Sequence, residues 1–243
     1  MSISSIKLWV HLTFTAINIF YFILLREMTQ GSFLMRIWNQ HVYLTNITHT
    51  LVTIYYLFVT IQDICQIIKK SKIGTIIYTS TTHNYFQFVF SLSMLVGVAY
   101  WSLMIYDPKA LWGSVDYQKL NIFYIMTYIH GGNHLILYTE FFFYQQYVFL
   151  RRAQKWIIGI LLFLCYFTIT AIQYFVFGKV VYNFQNFGFA SMISIYSSFV
   201  IVFFLIEYFS LKLFGKVGLY KFSADSQQFQ TKSNLKDLQK KTN

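Results

Sequence analysis

The sequence has little charge, one proline and few glycines. Of its 243 residues, 11% are Asp, Glu, Lys or Arg, whereas a soluble domain carries about 25%. One proline and 11 glycines leave little material for the turns of a loop-rich β protein. Its two cysteines, Cys65 and Cys165, lie in or at the end of apolar runs and indicate no disulfide framework. These shortages exclude an ordinary soluble domain and a disulfide-stapled secreted scaffold.

The sequence contains several long stretches of apolar residues. It is 56% hydrophobic, and a helix needs about 20 mostly apolar residues to cross a bilayer. Six stretches meet that condition: Ile6–Leu25, His41–Ile64, Tyr85–Tyr106, Leu120–Tyr144, Trp156–Gly178 and Gly188–Phe209. We therefore predict an all-α polytopic membrane protein. A bundle of six transmembrane helices would occupy residues 1–214, and a polar, basic C-terminal tail would follow over residues 215–243.

The positive charges predict how this bundle is oriented. Fourteen of the 19 Lys and Arg residues lie in the N-terminal segment, the second and fourth connections and the tail. The positive-inside rule then places both termini on the same, cytoplasmic-type side. Because the net charge of +11 comes from clusters between apolar runs, we expect no nucleic-acid partner. Membrane lipids are the expected partners, and the basic tail could dock on a protein.

The second apolar stretch opens with an unusual run of polar residues: Thr45, Asn46, Thr48, His49, Thr50 and Thr53. Thr45 and His49 are four residues apart and therefore share one helix face. The ordinary account is that threonine hydroxyls bond back to the helix backbone while Asn and His hold helices together. Polar side chains at membrane depth are also candidates for function.

The fourth stretch carries a second polar stripe: Thr127, His130, His134 and Tyr138, with Asn133 beside it. Two histidines at i and i+4 could bind a metal. No Glu follows the first histidine, as zinc proteases require, and the His-His pair of membrane desaturases and hydroxylases is missing. We therefore expect no metal and no cofactor, and the alternative role is a hydrogen-bonded structural histidine. Gly131 and Gly132 would admit a neighbouring backbone or an acyl chain.

Three acidic residues fall inside or near the predicted spans. Asp63 and Glu140 lie close to predicted helix ends, where snorkelling or pairing with a nearby Lys or Arg would account for them. Glu207 lies about one turn before Lys212 and could pair with it or border a polar cavity. None of the three indicates a reaction by itself.

Five motifs occur in the order found in one family of membrane proteins. They are Tyr43-Leu44-Thr45, the stretch Tyr100–Asp107, His130 with Glu140 ten residues later, Gly178–Tyr182, and Glu207 followed by Gly215. On these residues the chain resembles the androgen-induced protein family, which includes the androgen-dependent TFPI-regulating protein. Some positions depart from the family pattern: Val180 stands for a Trp, Asn183 for a Pro, and Gln173-Tyr174 where a His is common. The chain is similar to that family as a distant relative.

The resemblance implies a six-helix hydrolase of fatty acid esters of hydroxy fatty acids. The family's proposed threonine nucleophile corresponds to Thr45, and its catalytic histidine to His130. We therefore expect an intramembrane Thr/His hydrolase that acts on a lipid ester substrate. Residues expected to support this pair are His49, Asn133, His134, Glu140, Asp107 and Glu207. Among them, His49, Asn133, His134 and Glu140 are candidates for orienting His130.

The sequence is also compatible with a role without catalysis. The chain could instead be a non-catalytic accessory subunit or lipid-binding scaffold that retains the fold. An enzyme would lie in an endomembrane or the plasma membrane, whereas an accessory subunit could lie in the mitochondrial inner membrane. The predicted spans put Thr45 roughly 7 Å and His130 roughly 15 Å below the far-side helix ends.

Overall fold

A computed structural model describes residues 3–27, 32, 41, 43–68, 85–106, 120–140, 152–179, 181 and 188–216. These ranges contain six helices and no strand. The helices are α1 (Ile3–Glu27), α2 (Leu44–Ile67), α3 (Phe86–Tyr106), α4, α5 (Arg152–Phe175) and α6 (Phe189–Lys216). Helix α4 consists of Leu120–Thr127, a π turn at Tyr128–Gly132, and Asn133–Leu137. The prediction of an all-α chain is confirmed over the described ranges.

Four of these helices are long and apolar enough to cross a membrane: Ser5–Glu27, Leu44–Ile67, Ile157–Phe175 and Phe189–Phe209. Helix α3 has a shorter apolar stretch, Phe88–Ser102. Large apolar side chains on these helices point outward, as a lipid-facing surface requires. The chain is therefore an integral membrane protein. The prediction that both termini share one side stays a prediction, and the tail beyond Lys216 lies outside the described residues.

Helices α1 and α2 pack antiparallel along their length. His11 contacts Asp63, and Thr15, one turn further along α1, contacts Thr60, one turn earlier in α2. Helix α3 packs against α2, α6 and the π turn of α4, and α5 packs against α6. Helix α3 therefore lies at the centre of the arrangement, in contact with the helices on either side of it.

Helices α2 and α4 run in the same direction, and two side-chain contacts set their register. His49 contacts Asn133, 84 residues away in sequence, and Tyr55 contacts Glu140, 85 residues away. The two contacts lie at different heights on both helices but have nearly the same offset. The register is therefore constant between the level of His49 and Asn133 and the level of Tyr55 and Glu140.

The interior is rich in aromatic side chains. One buried cluster joins α2 and α3 through residues such as Tyr55, Tyr56, Phe86 and Phe90. A second joins α3, α5 and α6 and reaches Leu44 at the start of α2. Since lipid tails are as apolar as these side chains, close packing and interhelical hydrogen bonds hold such helices together, more than removal of apolar surface from water.

Candidate functional site

Two adjacent aromatic residues of α3 pack against one side of the π turn of α4. The Tyr100 ring stacks on the His130 imidazole, with ring centroids 4.9 Å apart. The Trp101 indole covers Gly131 so closely that a Cβ there would lie 2.8 Å from it. The neighbour admitted by Gly131 is thus an indole ring, where the sequence led us to expect a backbone or an acyl chain. Because π turns are frequent at functional sites, this segment is a candidate site.

His130 is held in one tautomer by the backbone. Its Nδ1 lies 2.8 Å from the Met126 carbonyl oxygen. A carbonyl can only accept, so Nδ1 carries the proton in the neutral ring and Nε2 keeps its lone pair. The imidazole is therefore arranged as a base. Sequence reasoning missed this orienting group because every residue has a carbonyl, so no side-chain pattern marks it.

Thr45 differs from the other threonines of its run. The hydroxyls of Thr48, Thr50 and Thr53 each donate to the carbonyl four residues earlier, at 2.8 Å. Thr45 is 8% exposed, and its hydroxyl has no hydrogen-bond partner within the described part of the chain. The ordinary account of a helical threonine thus holds for three residues and fails for Thr45.

The backbone around Thr45 is the first turn of α2. The carbonyl of Tyr43, the N-cap residue, accepts the N–H groups of Asn46 and Ile47. The Leu44 N–H donates to the Tyr166 hydroxyl of α5 at 2.9 Å. The Thr45 N–H has no acceptor among the described residues. A helix N-terminus concentrates partial positive charge, so Thr45 occupies a position that favours an anion.

Continued back by one turn, the register of α2 and α4 would bring Thr45 and His130 to about the same level. An offset of 84 or 85 residues aligns Thr45 with Ile129 or His130. This register does not reproduce the difference in depth between Thr45 and His130 that the predicted span boundaries gave. One turn further along, His49 Nδ1 lies 3.3 Å from Asn133 Oδ1, and Asn133 donates to the Ile129 carbonyl. These two supporting candidates join the helices just beyond the pair.

His134, the next residue of α4 after Asn133, packs against α3. Its imidazole lies on Gly97, where any side chain larger than hydrogen would collide with the ring. Its Nδ1 is buried and has no hydrogen-bond partner within the described ranges. His134 is thus a second, partly buried imidazole in the same region, and it contacts a different residue of α3 from His130.

A second polar cluster, here called the ion cluster, lies on the other half of α2. Asp63 contacts both Lys7 (3.0 Å) and His11 Nδ1 (2.6 Å). His11 Nε2 lies 3.2 Å from Glu140, which also accepts a hydrogen bond from Tyr55. The expected pairing of Asp63 with a lysine is confirmed. Sequence reasoning missed His11, whose only signal was a lone histidine in the first apolar stretch.

Of the remaining predicted residues, one is buried in α6 and one lies outside the described ranges. Glu207 is buried in α6, and the Lys212 ammonium lies over the Tyr208 ring at 5.8 Å. Asp107 lies outside the described residues. Over the ranges that the structure describes, no three His, Cys, Asp or Glu side chains are arranged to hold a metal ion.

Comparison with known proteins identifies one family. The family model described as FAR-17a/AIG1-like protein matches residues 6–215, which include nearly all of the six helices. No curated protein and no solved structure matches the chain.

Proposed function

Because the chain belongs to the FAR-17a/AIG1-like family, as its motifs predicted, we propose that it hydrolyses lipid esters within the membrane. Thr45 is the nucleophile and His130 the general base. The substrate class is fatty acid esters of hydroxy fatty acids. One observation carries the proposal: Thr45 alone in its run keeps its hydroxyl off the helix backbone, and it lies level with an imidazole arranged as a base.

The first half of the reaction forms an acyl-enzyme. A threonine hydroxyl becomes a competent nucleophile when a neighbouring base takes its proton. As Thr45 Oγ1 attacks the ester carbonyl carbon, its proton moves to His130 Nε2 and the carbonyl electron pair moves to oxygen. Collapse of this tetrahedral intermediate breaks the bond to the alkoxy oxygen. That oxygen takes the proton from His130 and leaves as the hydroxy fatty acid.

The second half consumes one water molecule. Water attacks the carbonyl carbon of acyl-Thr45 and gives a proton to His130 Nε2. The second tetrahedral intermediate then releases Thr45 Oγ1, which recovers the proton from His130, and the fatty acid leaves. The net reaction is ester plus water to acid plus alcohol. The same nitrogen acts as base and then as acid in both halves, as a histidine held in one tautomer can.

The position of the pair suits a substrate that already lies in the bilayer. Thr45 is the second residue of α2, one of the four helices long enough to cross the membrane. A site in the first turn of a transmembrane helix lies near the headgroup region, where the ester carbonyls of lipids lie and where water is available. The acyl chains can then remain among the lipid tails during the reaction.

The test compares Thr45→Ala with Thr48→Ala in purified protein. Both variants remove the hydroxyl of a buried threonine at the start of α2, but the Thr48 hydroxyl is bonded to the Leu44 carbonyl. We expect Thr45→Ala to abolish turnover of a branched lipid ester, Thr48→Ala to retain it, and Thr45→Ser to keep part of it. Equal turnover in wild type and Thr45→Ala, across several acyl lengths, would exclude the Thr45 mechanism. Absence of turnover in wild type would favour the accessory-subunit or scaffold alternative.

A further inference from the structure

The contact between Tyr100 of α3 and His130 of α4 points to a further residue that acts in the reaction. We propose that Tyr100 is a positioning residue for the base. Its ring holds the His130 imidazole in place and stabilises the positive charge that the imidazole gains when it takes the proton of Thr45. This inference rests on the proposed function, because it assigns the group that supports the base of the same reaction.

The Tyr100 ring covers one face of the imidazole. The ring centroids are 4.9 Å apart and the planes differ by 27°, so the two rings are nearly parallel. A contact on the face leaves the two ring nitrogens, which lie at the edge, available for hydrogen bonds. One of them, Nδ1, lies 2.8 Å from the Met126 carbonyl oxygen. Tyr100 therefore sets the plane of the ring and Met126 sets the direction of Nδ1, while Nε2 keeps its lone pair at the edge.

Tyr100 is itself held from two helices. Its side chain is 2% exposed, and Trp101 of α3 packs edge-on against its ring, with centroids 5.2 Å apart. Its hydroxyl lies 3.1 Å from Thr127 Oγ1 of α4. Thr127 directly follows Met126 in the chain. One turn of α4 therefore orients both the imidazole and the ring that stacks on it.

The contact between the two rings becomes stronger when His130 is protonated. The face of an aromatic ring carries partial negative charge, and it attracts a cation that lies within about 6 Å of the ring centroid. Neutral imidazole gains little from this attraction, whereas the imidazolium that forms when Thr45 attacks carries a full positive charge. An interaction that is stronger in the transition state than in the ground state lowers the barrier.

His130 has no carboxylate partner within the described part of the chain. In serine proteases a buried aspartate stabilises the imidazolium. Here the side-chain ion pairs of the described residues all belong to the ion cluster, and Glu140, a predicted partner of His130, contacts His11 instead. Together with the Met126 carbonyl, the Tyr100 ring is thus the described neighbour that favours the charged form of the imidazole.

The first experiment compares Tyr100→Leu with Phe90→Leu in the full-length protein in detergent. Phe90 is a matched control because it is also an aromatic residue of α3 with 2% exposure, and its ring packs against Tyr138. Loss of a cation–π contact corresponds to about 2- to 30-fold in rate. We expect the acylation rate constant, measured in a single turnover of a branched lipid ester, to fall by that factor in Tyr100→Leu. Phe90→Leu and Tyr100→Phe, which keeps the ring, should acylate at nearly the wild-type rate.

The second experiment keeps the shape of the ring and changes its electron density. Starting from Tyr100→Phe, the ring is replaced with 4-fluoro-, 3,5-difluoro- and 3,4,5-trifluorophenylalanine, because each fluorine draws electron density away from the ring face. We expect the logarithm of the acylation rate constant to fall steadily with the number of fluorines, at a constant unfolding midpoint. A ring that only packs would give a constant rate. This series also gives a result if Tyr100→Leu fails to fold.

Failure of the inference is distinct from failure of the proposed function. If Thr45→Ala is inactive while Tyr100→Leu matches Phe90→Leu in acylation rate, the hydrolase proposal stands and the role of Tyr100 is excluded. A fluorinated series with a constant rate excludes it as well, even if Tyr100→Leu is slow, because the ring then acts through its shape alone. If wild type does not turn over any ester, or Thr45→Ala is as active as wild type, both proposals are wrong.

Discussion

The two polar regions of this protein differ in whether their polar groups, which lie within transmembrane helices, are paired with one another. In the ion cluster, the carboxylates of Asp63 and Glu140 both contact the imidazole of His11, which lies between them. At the start of α2, Thr45 is buried with neither its hydroxyl nor its N–H paired among the described residues. Polar groups that satisfy one another hold helices in place, whereas groups left unpaired are available to a substrate.

The contrast extends to charge. The ion cluster combines two carboxylates with Lys7 and His11, so a protonated His11 would balance it. Such a cluster is costly to break, because removal of one member leaves its partners as uncompensated buried charges. The region around Thr45 and His130 contains no side-chain ion pair among the described residues. Loss of a group there should affect turnover far more than folding.

The largest expected effect, and the one that best separates the two regions, is the loss of turnover in His130→Ala. We expect this variant to lower turnover on the order of 10⁶-fold, about as far as Thr45→Ala. The double variant should be scarcely slower than either single variant, because residues that act as a unit are non-additive. Ester hydrolysis rates for the four proteins, with thermal unfolding midpoints close to wild type, would check this. Multiplied losses in the double variant would contradict a shared step.

The opposite pattern is expected for His11→Leu in the ion cluster. Breaking a buried ion pair by removing one partner costs about 3–5 kcal/mol, and His11 is fully buried between two carboxylates. We expect a markedly lower unfolding midpoint in detergent. Turnover per folded molecule, with the folded fraction taken from size-exclusion chromatography, should stay near wild type. A stable but inactive His11→Leu protein would mean that the ion cluster belongs to the reaction.

A smaller effect should follow from Gly131→Ala at the π turn. The added methyl group would lie 2.8 Å from the Trp101 ring, and overpacking of this kind costs about 1–3 kcal/mol. Because the same turn carries His130, turnover should fall along with stability. Shortening the neighbour in Gly131→Ala/Trp101→Leu should restore part of both, as measured by a double-mutant cycle. No recovery in the double variant would argue that the indole contact is not the cause.

Much of the fold was predictable from the sequence, because apolar length is a direct signal for a transmembrane helix. The predicted stretches overlap all six helices, and the motif Tyr100-Trp101 proved to contact the π turn. The boundaries were less accurate: α2 begins at Leu44, three residues after the predicted His41. That shift by itself would increase the predicted difference in depth between Thr45 and His130. Their relative level depends on the register of α2 and α4, which is known only from contacts between the two helices.

The sequence could identify candidate side chains of the site, but it could not identify the backbone groups that contact them. The family resemblance placed His130 and Glu140 in one motif, whereas in the structure Glu140 belongs to the ion cluster with His11. The group that orients His130 is the Met126 carbonyl, and neither a carbonyl nor an unpaired backbone N–H leaves a trace in residue types. Such features arise from backbone geometry, which follows from packing between helices distant in sequence.

The π turn also changes the angular phase of α4. An α-helix advances about 100° per residue, and a π turn inserts one extra residue, so the side chains before and after it follow two different helical wheels. His130 can therefore face Tyr100 of α3 while Asn133 faces α2. Deletion of one residue from Tyr128–Gly132 would restore a single phase. It would rotate either the imidazole or the entire segment to Glu140 away from its partner, so one inserted residue allows α4 to serve both polar regions at once.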